Sequence, residues 1–250
     1  MKHRLCRILV LIVLFAAGEA HAFAENTMRA HFIDVGQGDA TLLEFSCGAV
    51  LIDAGGGSNA DSRRLMRYLR DFFTERPDLQ GRLSTLFVTH THVDHNRTLR
   101  QIVEADDVTV VNYVHNGIFN GSGRHAAKFM RDHANDDGRS ITQRAIADDE
   151  ITALSHRRGL RDRAIDPVAC SGIDPEIVVL SGRITKNPGW PAHEMNNGNN
   201  HSLTIRIRFG RASFLFTGDL EEPALETLVA YYDGTRALDV DVYQLGHHGS

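Results

Sequence analysis

Within His90-Thr91-His92-Val93-Asp94-His95, four side chains with metal-ligand chemistry fall in six positions. Imidazole nitrogen and carboxylate oxygen are the donors that hold zinc and similar divalent ions, at roughly 2.0–2.2 Å. A cation so held lowers the pKa of water and stabilises charge developing on a substrate, so the pattern points to metal-assisted hydrolysis. Nothing in the chain offers a competing protein nucleophile: there is no Gly-x-Ser-x-Gly turn and no glycine-rich phosphate loop carrying lysine. The plain alternative is a surface loop rich in histidine. Against it stands the run Leu83 to Thr89, apolar and β-branched, which reads as a buried strand leading straight into the motif. Alternate residues of an extended segment share a face, so His90 and His92 are expected together, with Asp94 and His95 turning back toward them.

Three later positions repeat the arrangement. His201 stands just before the apolar run Leu203–Phe209, Asp219 follows Ala212–Thr217 in Thr217-Gly218-Asp219, and His247-His248 follow Val240–Leu245. Each is a ligand-capable side chain at a strand end, and strand ends gathered on one edge are where α/β proteins place chemistry. Each also has a structural reading: His201 as a polar loop residue, Asp219 as a helix N-cap, and one of the paired histidines as support for the other.

The remaining chain supplies strands in pairs with helices between them. Met28–Val35, Ala40–Phe45 and Ala49–Asp53 read as strands separated by glycine turns, and Ser62–Phe73 as a helix stopped by Pro77. Asp107–Tyr113 and Ile177–Leu180 read as strands, and Glu222–Tyr232 as a helix introduced by Pro223. Residues 117–163 are polar and are expected to be helical pieces and loops over the surface. Roughly 225 residues beyond the N-terminal segment suffice for one core and one domain.

That N-terminal segment, Met1–Ala22, has the form of an export signal. Lys2, His3, Arg4 and Arg7 precede an apolar run from Ile8 to Ala17, and Ala20-His21-Ala22 offers a small-x-small cleavage site. Ten apolar residues are too few for a membrane span, which needs about 20. A periplasmic or extracellular location without a stable membrane anchor is therefore expected. The segment carries net +2, so its removal takes the formal charge from −5 to −7. So acidic a chain is a poor non-specific binder of nucleic acid, and 124–163, with nine Lys/Arg against seven Asp/Glu, makes no basic patch. A small anionic substrate stays compatible, because two dications at the site would offset the charge locally. Cys47 and Cys170 remain, and an oxidising compartment permits a disulfide between them or two buried thiols.

The order HTHVDH, a lone His, TGD and a late His resembles the metallo-β-lactamase fold superfamily. The phrases HFIDVGQGDA (31–40), LIDAG (51–55), LFTGD (215–219) and HHGS (247–250) are similar to one branch of it: the soluble hydrolase domain of competence DNA-uptake channel proteins (ComEC-like) and secreted relatives such as phosphorylcholine esterases. The likeness runs from about Met28 to Ser250, apart from a family-atypical insert at about 117–197. It implies a layered α/β fold, an αββα sandwich over residues 27–250 with a two-metal site at one edge, zinc by preference and manganese as the alternative. By this resemblance His90, His92 and His201 hold the first metal, Asp94, His95 and His247 the second, and Asp219 bridges both. Asp53 corresponds to a carboxylate that orients a ligand histidine. Asp94 also orients the attacking water, and His248 faces the substrate, although either of the paired histidines could be the ligand. Arg97, where the family has smaller residues, could reach an anion or lie on a helix face. The branch points to phosphodiester bonds as substrate. A β-lactam or lactone hydrolase and a non-catalytic partner in DNA uptake are the alternatives. The family continues past HHGS, so the sandwich is expected to be truncated at its C-terminus, with the last strand's far edge and its apolar surface uncovered.

Overall fold

The computed structural model describes residues 26–133 and 140–249; the segment Met1–Ala22, read above as an expected export signal, lies outside the described residues. Along the chain run β1 (Arg29–Phe32), β2 (Thr41–Glu44), β3 (Ala49–Ile52), α1 (Asn59–Glu75), β4 (Arg82–Val88), α2 (Val93–Asn96), α3 (Leu99–Glu104), β5 (Thr109–His115), α4 (Arg124–His133) and β6 (Thr142–Ala145). There follow α5 (Asp148–Leu154), β7 (Glu176–Ser181), α6 (Ala192–Met195), β8 (Thr204–Phe209), β9 (Ala212–Phe216), α7 (Glu222–Tyr232) and β10 (Val242–Gln244).

β1 to β6 form one sheet in sequence order, antiparallel across β1-β2-β3 and parallel from β3 to β6. The second sheet has the order β10-β9-β8-β7, with β10 parallel to β9 and the others antiparallel. Strand alternation then assigns the layers. Val50 and Ile52 of β3 and Phe87 of β4 meet Ile205 and Ile207 of β8 in the core between the sheets. Leu51 and Leu86 point the other way, onto Leu65, Leu69 and Phe72 of α1 and onto α3. On the far side Val178, Leu180 and Leu215 pack against Leu228 and Tyr232 of α7. The result is the expected four-layered α/β sandwich, and each of these fully buried side chains contributes about 1.5–3 kcal/mol.

α1 starts three residues before the periodicity suggested, because Ser58 caps it: its backbone is extended and its hydroxyl accepts from the Asp61 N–H. β6 (Thr-Gln-Arg-Ala) was not expected as a strand. It is polar because it is the half-exposed outer strand of the first sheet, so burial leaves no alternation to read. Cys47, between β2 and β3, is joined to Cys170 by a disulfide with Cα atoms 5.4 Å apart. Across a sequence separation of 123 residues, such a bond contributes on the order of 4–5 kcal/mol in the chain-entropy picture. β10 is an outer strand, and Val242 and Tyr243 within it and Leu245 just after it are exposed.

Candidate metal centre

Asp53, directly after β3, organises the early half of the site. Its carboxylate is buried; Oδ1 accepts from the Thr89 N–H at 2.8 Å, and Oδ2 accepts from Thr89 Oγ1 at 2.8 Å and from His95 Nδ1 at 2.8 Å. One side chain thus ties the ends of two parallel strands to an imidazole. The neighbouring backbone fixes the turn itself: the Asp94 carbonyl accepts from the N–H groups of Asp39 and Gly56, and the Ala54 N–H donates to the His95 carbonyl. The packing is so close that a Cβ on Gly55 would lie 1.4 Å from the Asp94 carbonyl oxygen, so only glycine fits there.

Those contacts fix the imidazoles. With the Thr89 hydroxyl donating to Asp53, its oxygen is left to accept from His90 Nδ1, 3.2 Å away. His90 Nε2 then carries the lone pair, and it faces His92 Nδ1 at 3.0 Å. His95, with Nδ1 donating to Asp53, turns Nε2 toward Asp219 Oδ1 at 3.1 Å. Both of these atoms are buried without a well-aligned hydrogen bond, a donor pair suited to a cation.

The late half is carried by β9 and β10. Gly218, in the left-handed region at φ +53°, lets the chain turn directly over Thr89, where a Cβ would lie 2.7 Å from the threonine Cβ. Asp219 follows, its N–H donating to Ser202 Oγ. Its Oδ2 lies 3.8 Å from His90 Nε2 and 3.8 Å from His248 Nε2, so the carboxylate stands between the two halves. His248 Nε2 is also 3.2 Å from Asp94 Oδ2. The ligand atoms of Asp94, His95, Asp219 and His248 all lie within 4.8 Å of one another. Asp39, Asp53 and His95 form a second close group, but Gln244 Nε2 donates to both oxygens of Asp39 and His95 donates to Asp53, so those oxygens are already used.

Electrostatics follow the geometry. Burial pulls the His95 imidazole down, but Asp53 and Asp219 on either side outweigh it and hold His95 well above its ordinary value. His90 is pushed well below its own by burial and by the neighbouring His95. For Asp219, the upward push of burial is overcome by the close approach and charge of the His95 imidazole, leaving it well below the usual carboxylate range. A field that favours a proton on His95 also favours a divalent cation in the same place. The donor set therefore fits a metal.

Two expected ligands are placed differently. His201 does not join His90 and His92: it closes a 3-10 turn (Gly198–His201), where Nδ1 accepts from the Ile184 N–H at 3.0 Å and Nε2 reaches the Met195 carbonyl at 2.9 Å. Both ring nitrogens are committed to backbone, so it takes the polar-loop role. His247 and His248 exchange expected positions. His248 enters the cluster, while His247 lies beside Asn199 at 3.5 Å and Glu221 at 3.7 Å. Both sit at positive φ, and that left-handed turn decides which ring points inward. Arg97 donates to the Gly56 carbonyl at 2.7 Å and braces the turn. Thr89 and Gln244 were not singled out in the sequence; Thr89, between the strand and its first ligand, was findable by position. The 117–197 insert also supplies support: Thr91 Oγ1 donates to the Ile118 carbonyl and the Val93 N–H to Ser122 Oγ.

Two facing sheets between helices, with imidazoles and carboxylates gathered at one edge, define a metal-dependent hydrolase fold. The chain belongs to the metallo-beta-lactamase superfamily, whose family model matches residues 33–249. A segment of 62 residues, 24% of this chain, is 37% identical to the uncharacterized protein YcaI of Escherichia coli K12, and the match spans only 8% of that protein. Similar solved structures include the metallo-beta-lactamase fold protein YhfI from Bacillus subtilis (13% identity, TM-score 0.40, covering 77% of this chain and 62% of that one). Another is the subclass B3 metallo-beta-lactamase MEM-A1 from a soil metagenome library (15%, 0.46, 88% and 76%). A third is the short form of human tRNase Z (14%, 0.39, 81% and 73%).

Proposed function

We propose that this chain is an exported two-metal hydrolase of phosphodiester bonds, with zinc as the metal and manganese as the alternative. The observation that carries the reading is the place of Asp219, with one oxygen toward His95 and the other equidistant from His90 and His248. His90, His92 and Asp219 would hold one cation; Asp94, His95, His248 and Asp219 would hold the other. A bound pair of divalent cations supplies Lewis acidity, which generates a nucleophile from water at neutral pH and stabilises charge on the phosphoryl oxygens. The chain's own residues do the rest. Asp53 and Thr89 fix the imidazole tautomers, and Asp94 orients the attacking water. His247, at the rim beside Glu221, is the imidazole left to face substrate. The phosphodiester choice rests on the similarity of HFIDVGQGDA and HHGS to the DNA-uptake hydrolase branch, and export rests on Met1–Ala22.

The test is metal analysis of the purified protein by plasma emission, alongside bis-p-nitrophenyl phosphate, p-nitrophenyl phosphorylcholine, plasmid DNA and nitrocefin. Two metals per chain and chelator-sensitive turnover of the diesters are expected. Turnover of nitrocefin alone would replace this reading with a lactam hydrolase.

A further inference from the structure

On the outer face of the second sheet, at the end of β8 and β9 away from the metal centre, six arginines line one groove. Arg206 and Arg208 come from β8, Arg211 from the β8–β9 turn, Arg157 and Arg158 from the segment after α5, and Arg236 from the segment after α7. Among the described residues, Glu176 and Asp239 are the only carboxylates lining the groove. This concentrates positive charge on a chain whose net charge is −5.

Several of these arginines are braced, which presents the charge in fixed positions. Glu176 holds two of them, Arg206 at 3.2 Å and Arg208 at 2.5 Å. Arg206 also donates to the Ala237 carbonyl, and Arg157 to the carbonyls of Tyr231 and Asp233. Arg236 pairs with Asp239 at 3.1 Å. The side chains of Arg158 and Arg211 make no ion pair with any described residue; Asp241, whose charge Arg211 feels, already accepts from Ser213. At least three guanidinium charges are left uncompensated. Guanidinium is planar and forked, and it matches phosphate oxygens two at a time. The groove holds about 760 Å³, a size suited to a small molecule. Its concavity does not suit a flat membrane, and among the described residues His156 is the one ring that lines it, so the groove offers no succession of platforms on which the bases of a strand would stack.

We propose that this groove is a second binding site, separate from the metal centre, for a compact linear polyphosphate anion. Recognition is by charge and by the guanidinium forks alone.

The probe is inorganic tripolyphosphate, titrated calorimetrically into the purified protein at low salt and again with excess EDTA, since the same anion would also meet cations at the metal centre. Saturable binding at one site per chain is expected, weakening with added salt and unchanged by EDTA. The double variant Arg158→Ala/Arg211→Ala leaves no carboxylate unpaired, so it should melt as the parent does while binding about 10-fold or more weakly. Arg208→Ala, which leaves Glu176 paired with Arg206, should weaken binding independently. The proposal is overturned if no saturable binding is found, if EDTA abolishes it, or if the arginine variants bind as the parent does. A 20-nucleotide single strand or acidic phospholipid vesicles binding at the groove more tightly than tripolyphosphate would also overturn it.

Discussion

The early and late halves of the metal centre are built to different standards. His90 and His95 are wholly buried, and Asp53 joins them through Thr89 to the ends of β3 and β4. His247 and His248 follow an outer strand, stand partly exposed and sit on left-handed backbone. The early half is held by the folded core and is ready before any ligand arrives. The late half is positioned by one turn, and Asp219 is the joint between the two.

Breaking the joint should have the largest effect. Asp219→Asn keeps the shape and removes the charge shared between the halves. Metal content should fall from two per chain toward one, and turnover of bis-p-nitrophenyl phosphate by about 100-fold or more. The melting temperature should stay close to the parent's, because the residue lies at the sandwich edge. Two metals and full turnover in this variant would remove the basis of the two-metal reading.

The two late histidines sharpen the contrast. His248→Ala withdraws a donor from the cluster, whereas His247→Ala withdraws a rim imidazole. The first should reduce metal affinity by roughly 10-fold or more, on the scale by which lost support or ligation acts at such sites. The second should leave metal affinity unchanged and act on turnover. Competition with a chromogenic chelator distinguishes them, and the reverse result would exchange their roles.

How legible these halves were follows from how local they are. His90, His92, Asp94 and His95 occupy one segment whose strand context is apolar and unmistakable, so the early half could be read directly. The late half depends on a left-handed turn that chooses between two adjacent identical side chains, and no periodicity encodes that choice. His201 shows a further limit. It precedes a strand just as the other site residues end one, yet a 3-10 turn spends both its nitrogens on the backbone of residues 184 and 195. The bond from Gln244 to Asp39 spans 205 positions and was equally invisible. Of the fold, the buried strands were evident and polar β6 was not.

His201→Ala tests that point at smaller scale. It removes a buried acceptor from the Ile184 N–H and a partner from the Met195 carbonyl, which should cost about 2–3 kcal/mol. For a domain of this size that is a fall of roughly 4–12 °C in melting temperature. Metal stoichiometry should be unchanged, and a loss of metal without a loss of stability would return His201 to the cluster.

The smallest effect concerns a buried imidazole outside the cluster. His115, at the end of β5, is buried as His95 in α2 is, but has no carboxylate against it; it stacks on Tyr113, and its Nδ1 accepts from the Gly117 N–H. Burial alone pushes it from 6.5 down to about 4, the opposite direction to His95. Its folded-state pKa is depressed, so above pH 6.5 the imidazole is neutral in both states and carries no penalty. Between 6.5 and about 4 only the unfolded chain takes up the proton, and stability falls with pH by up to about 1.4 kcal/mol per unit. His115→Asn retains an acceptor near the Gly117 N–H but cannot titrate. Urea unfolding of parent and variant at pH 6 and pH 5 cancels the contributions of all other groups. The parent should lose about 1 kcal/mol more than the variant over that interval. Parallel losses would mean that His115 is protonated in the folded chain and that burial does not set its charge.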